Sequence, residues 1–140
     1  MRKKIFCEKD FGNICSSERM ARLFDPIRSE WQEHFCLAVL NTANEPLGVE
    51  VLTVGLEDRT QVTPSVIFKT IFTQKKYLTA TAIAVCHNHP SGTLLPSNED
   101  LQLTRRIVAA AKMFGMTMVD HIVVSIKGFT SIRHDHPDMF

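Results

Sequence analysis

Two histidines stand one residue apart in the run His87-Asn88-His89-Pro90-Ser91-Gly92, and Ser97-Asn98-Glu99-Asp100 follows closely. Imidazoles and carboxylates are donors that zinc takes, and three such ligands leave a fourth position for water. An open position marks a catalytic site rather than a structural one. Residues i and i+2 of a strand point to one face, so His87 and His89 aim two rings at one point. Cys86 then points away and drops out as a ligand. Ten residues separate His89 from Asp100, enough loop to fold a helix start back over the strand end. A carboxylate there is favoured as an anion by the helix dipole. His87, His89 and Asp100 form a candidate Zn²⁺ set. Plainer readings stand beside it. An H-x-H pair alone is a weak metal signal. Ser97 with Asp100 also reads as a capping box, in which the hydroxyl accepts a helix N–H. Those roles coexist, because a hydroxyl accepts through its lone pairs and still has one proton to donate. Ser97 can cap the helix and give that proton to a developing oxyanion.

The elements that must position these groups follow from periodicity and turn chemistry. Residues 81–87 are a near-continuous apolar run, as suits a central strand covered on both faces. Ligands in open α/β sheets sit outside the carboxyl ends of such strands. A Pro/Gly/Ser loop covers 90–96, and a helix runs from Ser97 to a C-cap at Gly115. Upstream, Met20, Leu23, Phe24, Ile27 and Trp31 recur at spacings of three and four. They predict an amphipathic helix over 16–32, capped by Ser16 or Ser17, bent at Pro26, with Trp31 in the core. Strands are predicted at 34–42 and 47–57, joined as a hairpin through the turn 43–46. Thr63-Pro64 opens a helix that runs to about Tyr77. A strand at 117–126 turns at Gly128 into a last strand at 129–133. Residues 1–14 start with a short extended piece. Helices alternating with strands, and hairpins at both ends, predict a mixed sheet with helices on both faces.

With 140 residues, 44% apolar and 22% charged, the chain fits one globular domain, 1–140, with a core at about 16–133. Sixteen Lys/Arg against fifteen Asp/Glu leave a net charge of +1, so composition does not indicate direct DNA binding. No run of 18 apolar residues predicts a membrane span. The basic start lacks the apolar stretch of a secretory signal. Cys7, Cys15, Cys36 and Cys86 form no C-x-x-C pair and read as reduced thiols, which predicts a cytoplasmic protein.

The spacing H-x-H, seven residues, Ser, two residues, Asp is met by His87, His89, Ser97 and Asp100. It resembles the JAMM (MPN+) metalloprotease motif. His-Asn-His-Pro-Ser-Gly, the later Pro-Ser-x-Glu-Asp, Asp120-His121-Ile-Val-Val and Ser131-Ile-Arg resemble the RadC branch of that family. The resemblance runs from about Glu33 to Arg133. It implies a cytidine-deaminase-like JAB/MPN fold, three layers α/β/α around a mixed β-sheet. It implies a Zn²⁺ held by His87, His89 and Asp100, with Ser97 as oxyanion donor. It implies a general base just before the first core strand, where Glu33 matches; Glu45 and Glu50 are its rivals. Thr93 stands where the family has an acidic residue. The chain leaves no room for the helix-hairpin-helix segment that precedes this domain in full-length RadC proteins.

The resulting expectation is a zinc-dependent hydrolase acting on a peptide or isopeptide bond of a peptide or protein substrate. RadC proteins carry a DNA-repair label, so the alternative is a non-proteolytic accessory in repair or recombination. A hydrolase of a small molecule or nucleotide is the third reading, although no P-C-x-x-C element supports a zinc deaminase. His134-Asp135-His136 is a second H-x-H, read as an exposed tail. His121, beside Asp120, is read as a satisfied core histidine or a partner behind the metal ligands. The His-Asn-His letters lack the ββα-metal spacing of HNH nucleases. Lys75-Lys76 and Arg105-Arg106 are read as solvated helix charges.

Overall fold

The computed structural model describes residues 12–55 and 62–140. The strands are β1 (His34–Leu40), β2 (Pro46–Val54), β3 (Ala82–Asn88), β4 (Thr117–Ser125) and β5 (Gly128–Ser131). The helices are α1 (Ser17–Leu23), α2 (Pro64–Phe72), α3 (Asn98–Met113) and the short α4 (Ile132–Asp135). The five strands form one sheet in the order β2-β1-β3-β4-β5. Only β3 and β4 run parallel; the other pairs are antiparallel, with the hairpins β1–β2 and β4–β5 at its edges. This is the mixed-sheet α/β class read from the sequence.

Every residue of β3 is buried, as its apolar run requires. Its two faces differ in size. Phe35, Leu37, Val39, Ile83 and Val85 meet Ile67, Phe68, Leu103 and Ile107 of α2 and α3. On the other face Cys36, Ala38, Ala82, Ala84 and Cys86 are small, and the bulky Met20, Leu23, Phe24 and Ile27 fill the space above them. Large against small interdigitates at the density a protein interior needs. Cys36 and Cys86 are buried free thiols, and burial raises Cys36 to about 12. Cys15 is also free, and Cys7 lies outside the described residues.

One irregularity in β4 bears on the site. Ile83 pairs with Met118, but Ala84 pairs with Asp120, so Val119 is an extra residue. Side chains alternate along a strand, so one inserted residue exchanges faces beyond it. Had the same sequence continued in unbroken register from Met118, His121 would stand opposite Cys86 and face the α1 layer. With the bulge His121 stands opposite Val85, on the face of His87.

Several expectations are corrected. The helix over 16–32 ends at Leu23, and a 3-10 turn follows at Asp25–Ile27. Proline cannot continue a helix interior, so Pro26 ends it rather than bending it. Trp31 therefore lies beyond the helix and is 79% exposed, not core. The second helix stops at Phe72, with a separate 3-10 turn at Lys75–Tyr77. Lys76 is not simply solvated: its Nζ lies 3.3 Å from Glu50 and over the Tyr77 ring. The C-terminal segment is not a bare tail, since α4 and a 3-10 turn at Pro137–Met139 bury Ile132 and Met139. The expected extended piece falls largely on residues 1–11, and the expected strand end at 56–57; both lie outside the described residues. Among the described residues no helix is long and apolar enough to cross a membrane.

Candidate metal centre

His87 is the penultimate residue of β3 and His89 lies just past its end, tied to β4 by its backbone N–H on the Val124 carbonyl at 2.9 Å. The loop then returns the chain to α3, whose first turn carries Asp100. Ser125 Oγ donates to the Gly92 carbonyl and Thr130 Oγ1 to the Leu94 carbonyl, which pins that loop to β4 and β5. Gly92 has φ +90°, a conformation open to glycine at little cost.

Three donor atoms converge here. His87 Nε2 lies 3.0 Å from His89 Nε2 and 3.2 Å from Asp100 Oδ2. His89 Nε2 lies 3.5 Å from the same oxygen. Ligands about 2.0–2.1 Å from a tetrahedral zinc stand roughly 3.3 Å from one another. The triangle therefore fits a zinc-sized cation. Proton bookkeeping points the same way. His89 Nδ1 lies 3.0 Å from the Thr93 carbonyl, which only accepts, so the single proton of the neutral ring is on Nδ1. Its Nε2 presents a lone pair toward a carboxylate that also holds only lone pairs. A cation relieves that convergence. Thr93, the departure from the family pattern, contributes through its backbone, so its side-chain type leaves this contact intact.

Electrostatics at the site reflect the same convergence. Once protonated, the His89 ring donates to Asp100, and that hydrogen bond raises its pKa above the ordinary 6.5, against the opposing effect of burial. Burial pushes Asp100 upward, but the His87 and His89 rings in their protonated form, together with the Ser97 N–H, outweigh it and hold the carboxyl far below its ordinary 3.8. A proton and a metal ion are drawn to this point for one reason, the negative charge of a carboxylate removed from solvent.

The capping box is present. Ser97 Oγ accepts from the Asp100 N–H at 3.1 Å, and the Ser97 N–H donates to Asp100 Oδ2 at 2.8 Å. Asp100 thus belongs both to the helix cap and to the donor triangle. Ser97 is half-buried, and its hydroxyl proton is not used by the cap.

Glu33 is brought to the same place. Ligand atoms of Glu33, His87 and His89 all lie within 4.8 Å of one another. Register explains it: β1 runs antiparallel to β3 with Phe35 opposite His87, so the residue just before β1 meets the end of β3. Asn88, between the two histidines, straps the segment down. Its Oδ1 accepts from the His34 N–H at 2.6 Å, and its Nδ2 donates to the Glu30 and Gln32 carbonyls. Glu33 is half-buried while Asp100 is wholly buried. The rivals are elsewhere. Glu50 accepts from Tyr77 Oη at 2.7 Å and from Gln74 Nε2 at 3.0 Å, on β2. Burial pushes its pKa up, but those two bonds and Lys76 outweigh it and lower it below 4.5. Glu45 sits in the β1–β2 turn against Asn41.

Sequence reasoning missed Asn88 and Thr104. A buried asparagine between two site residues was the available signal for Asn88. Thr104 sits one turn beyond Asp100 on α3, a spacing that puts both on one helix face. His121 is buried and its Nε2 lies 2.8 Å from His87 Nδ1, so it stands directly behind a ligand candidate. His134 and His136 are not among the groups gathered here.

A family profile described as "RadC-like JAB domain" matches residues 14–137. A UPF0758 protein of Nostoc sp. is 35% identical over 124 residues, covering 84% of this chain and 49% of that protein. A UPF0758 protein of Enterococcus faecalis is 33% identical over 127 residues, covering 90% and 53%. One of Symbiobacterium thermophilum is 39% identical over 101 residues, covering 72% and 42%. The chain spans about half the length of the curated relatives it matches.

Proposed function

Since the chain belongs to the RadC-like JAB domain family, we propose that it is a zinc-dependent hydrolase that cleaves a peptide or isopeptide bond. The observation that carries this reading is the convergence of His87 Nε2, His89 Nε2 and Asp100 Oδ2 within 3.0–3.5 Å. Three protein ligands make an open, catalytic kind of zinc site. Zinc held there supplies Lewis acidity, which lowers the pKa of water from 15.7 to roughly 7 and polarises a carbonyl.

The protein's own groups do the rest. Glu33, half-buried beside the triangle, takes a proton from the attacking water and later returns it to the leaving amine. Its partial exposure suits a group that must meet substrate, while the wholly buried Asp100 suits a ligand. Ser97 donates its uncommitted hydroxyl proton to the oxyanion while its lone pairs continue to cap α3. Asn88 holds the Glu33 segment against the histidine strand, so base and ligands keep one geometry.

The test is metal content. The purified protein is expected to carry about one zinc, Asp100→Ala to lose it, and Glu33→Gln to keep it. Equal zinc in wild type and Asp100→Ala overturns the ligand set. Loss of zinc in Glu33→Gln overturns the division between base and ligand.

A further inference from the structure

Resting on that three-ligand reading, we propose that Thr104 and His121 are positioning residues that lock His87 in the tautomer whose Nε2 carries a lone pair. His87 alone does not settle this. Its Nε2 can hold a proton directed at Asp100 Oδ2, 3.2 Å away, or it can hold a lone pair suited to a metal. The choice is made two residues behind it.

Thr104 has one hydroxyl proton. Its Oγ1 lies 2.7 Å from the Asp100 backbone carbonyl, which can only accept. Two oxygens at that distance repel unless a proton lies between them, so the hydroxyl proton is in that bond. Oγ1 then offers only a lone pair to His121 Nδ1, 2.6 Å away. Nδ1 must carry the proton of the His121 ring, and its Nε2 must accept. The donor to Nε2 is His87 Nδ1, at 2.8 Å. A neutral imidazole has one N–H, so His87 Nε2 is left with a lone pair.

The relay is anchored at both ends by one residue. Asp100 supplies the carbonyl that fixes Thr104 and the carboxylate that faces His87 Nε2. Phe35 holds both rings in place, stacked on His87 at 5.9 Å and edge-on to His121 at 5.7 Å. A ligand histidine usually gives its second N–H to a carboxylate or carbonyl. Here a second histidine takes that role, and a threonine eliminates its ambiguity. Placing His121 there depends on the register shift at Val119 in β4.

The test reads tautomer and metal affinity separately. NMR of metal-free protein with 15N-labelled histidine, at about pH 8 where unshifted rings are neutral, is expected to show His87 as the Nδ1–H form. Zinc affinity, measured by competition with a chromophoric chelator, is expected to fall about 10–100-fold in Thr104→Val. That change removes the hydroxyl and keeps the shape. Thr104→Ser, which restores the hydroxyl, is expected to restore affinity and tautomer together. His87 found as the Nε2–H form in the metal-free wild type overturns the proposal, whether or not Thr104→Val folds. So does wild-type affinity with an unchanged tautomer in Thr104→Val. If His87 is Nδ1–H but no zinc binds, the lock stands and the three-ligand reading falls.

Discussion

Glu33→Gln preserves side-chain size and hydrogen bonding but removes the proton acceptor. Positioned acid–base catalysis contributes about 10²–10⁴-fold, so turnover of a confirmed peptide or isopeptide substrate is expected to fall by that factor. Unchanged turnover would remove Glu33 as the base. Glu50 would not replace it, because it is committed to Tyr77, Gln74 and Lys76 on the far edge of the sheet. Ser97→Ala separates two roles of one hydroxyl. Loss of the cap costs about 1 kcal/mol in a denaturant titration. Loss of an oxyanion donor costs about 10²–10³-fold in rate. A variant that loses stability but keeps full rate would leave Ser97 as a cap alone.

Among the elements, α1 is the one least able to stand by itself. Seven residues make fewer than the turns an isolated helix needs, so packing must hold it. Its anchors are Met20, Leu23 and, just beyond its end, Phe24, all at most 1% exposed over the small-residue face of β1 and β3. Phe24→Ala is expected to lose about 3–5 kcal/mol by equilibrium urea unfolding. Trp31→Ala, at a position 79% exposed, is expected to stay within about 0.5 kcal/mol. Comparable losses in the two variants would restore Trp31 to the core. Element α3 behaves differently. Its sixteen residues begin with a reciprocal cap, and the carboxylate of that cap faces the histidines, so helix start and candidate metal centre are one structure.

For the whole molecule, the proposed zinc site sets zinc and protons in competition at His89. Its folded pKa is raised, so in the metal-free chain its stabilising contribution is complete below 6.5 and is lost as pH rises through the folded value. Asp100 has the opposite sign: its contribution is complete above 3.8 and is lost only as pH falls through a much lower folded value. Zinc requires unprotonated imidazoles, so acid displaces it as the histidines charge. The Tm increment on loading zinc is therefore expected to grow as pH rises from about 5 to 8. Parallel pH profiles for loaded and stripped protein would contradict it. The chain spans about half of its relatives, so this increment belongs to the domain in hand.

Local spacing alone determined much of this protein. Alternation along β3 is enough to put His87 and His89 on one side, and the Ser97–Asp100 spacing is enough to make a cap, because both depend only on backbone repeats a few residues long. The same holds for the Thr63 N-cap, whose hydroxyl accepts from the Val66 N–H, and for the turn at Gly115, with φ +69°. The proposed general base was not legible in this way. Glu33, Glu45 and Glu50 are equivalent carboxylates on the page, and only the pairing of Phe35 with His87 and the three bonds of Asn88 bring Glu33 to the histidines. Helical spacing ran on to Trp31, but Pro26 ended the helix and solvent took the indole. His121 was the hardest case. Its face depends on a register shift in β4, set by how β4 seats against β3 and not by its own alternation. A period of two carries no record of where a strand slips, so only the assembled sheet decides which side chain stands behind His87.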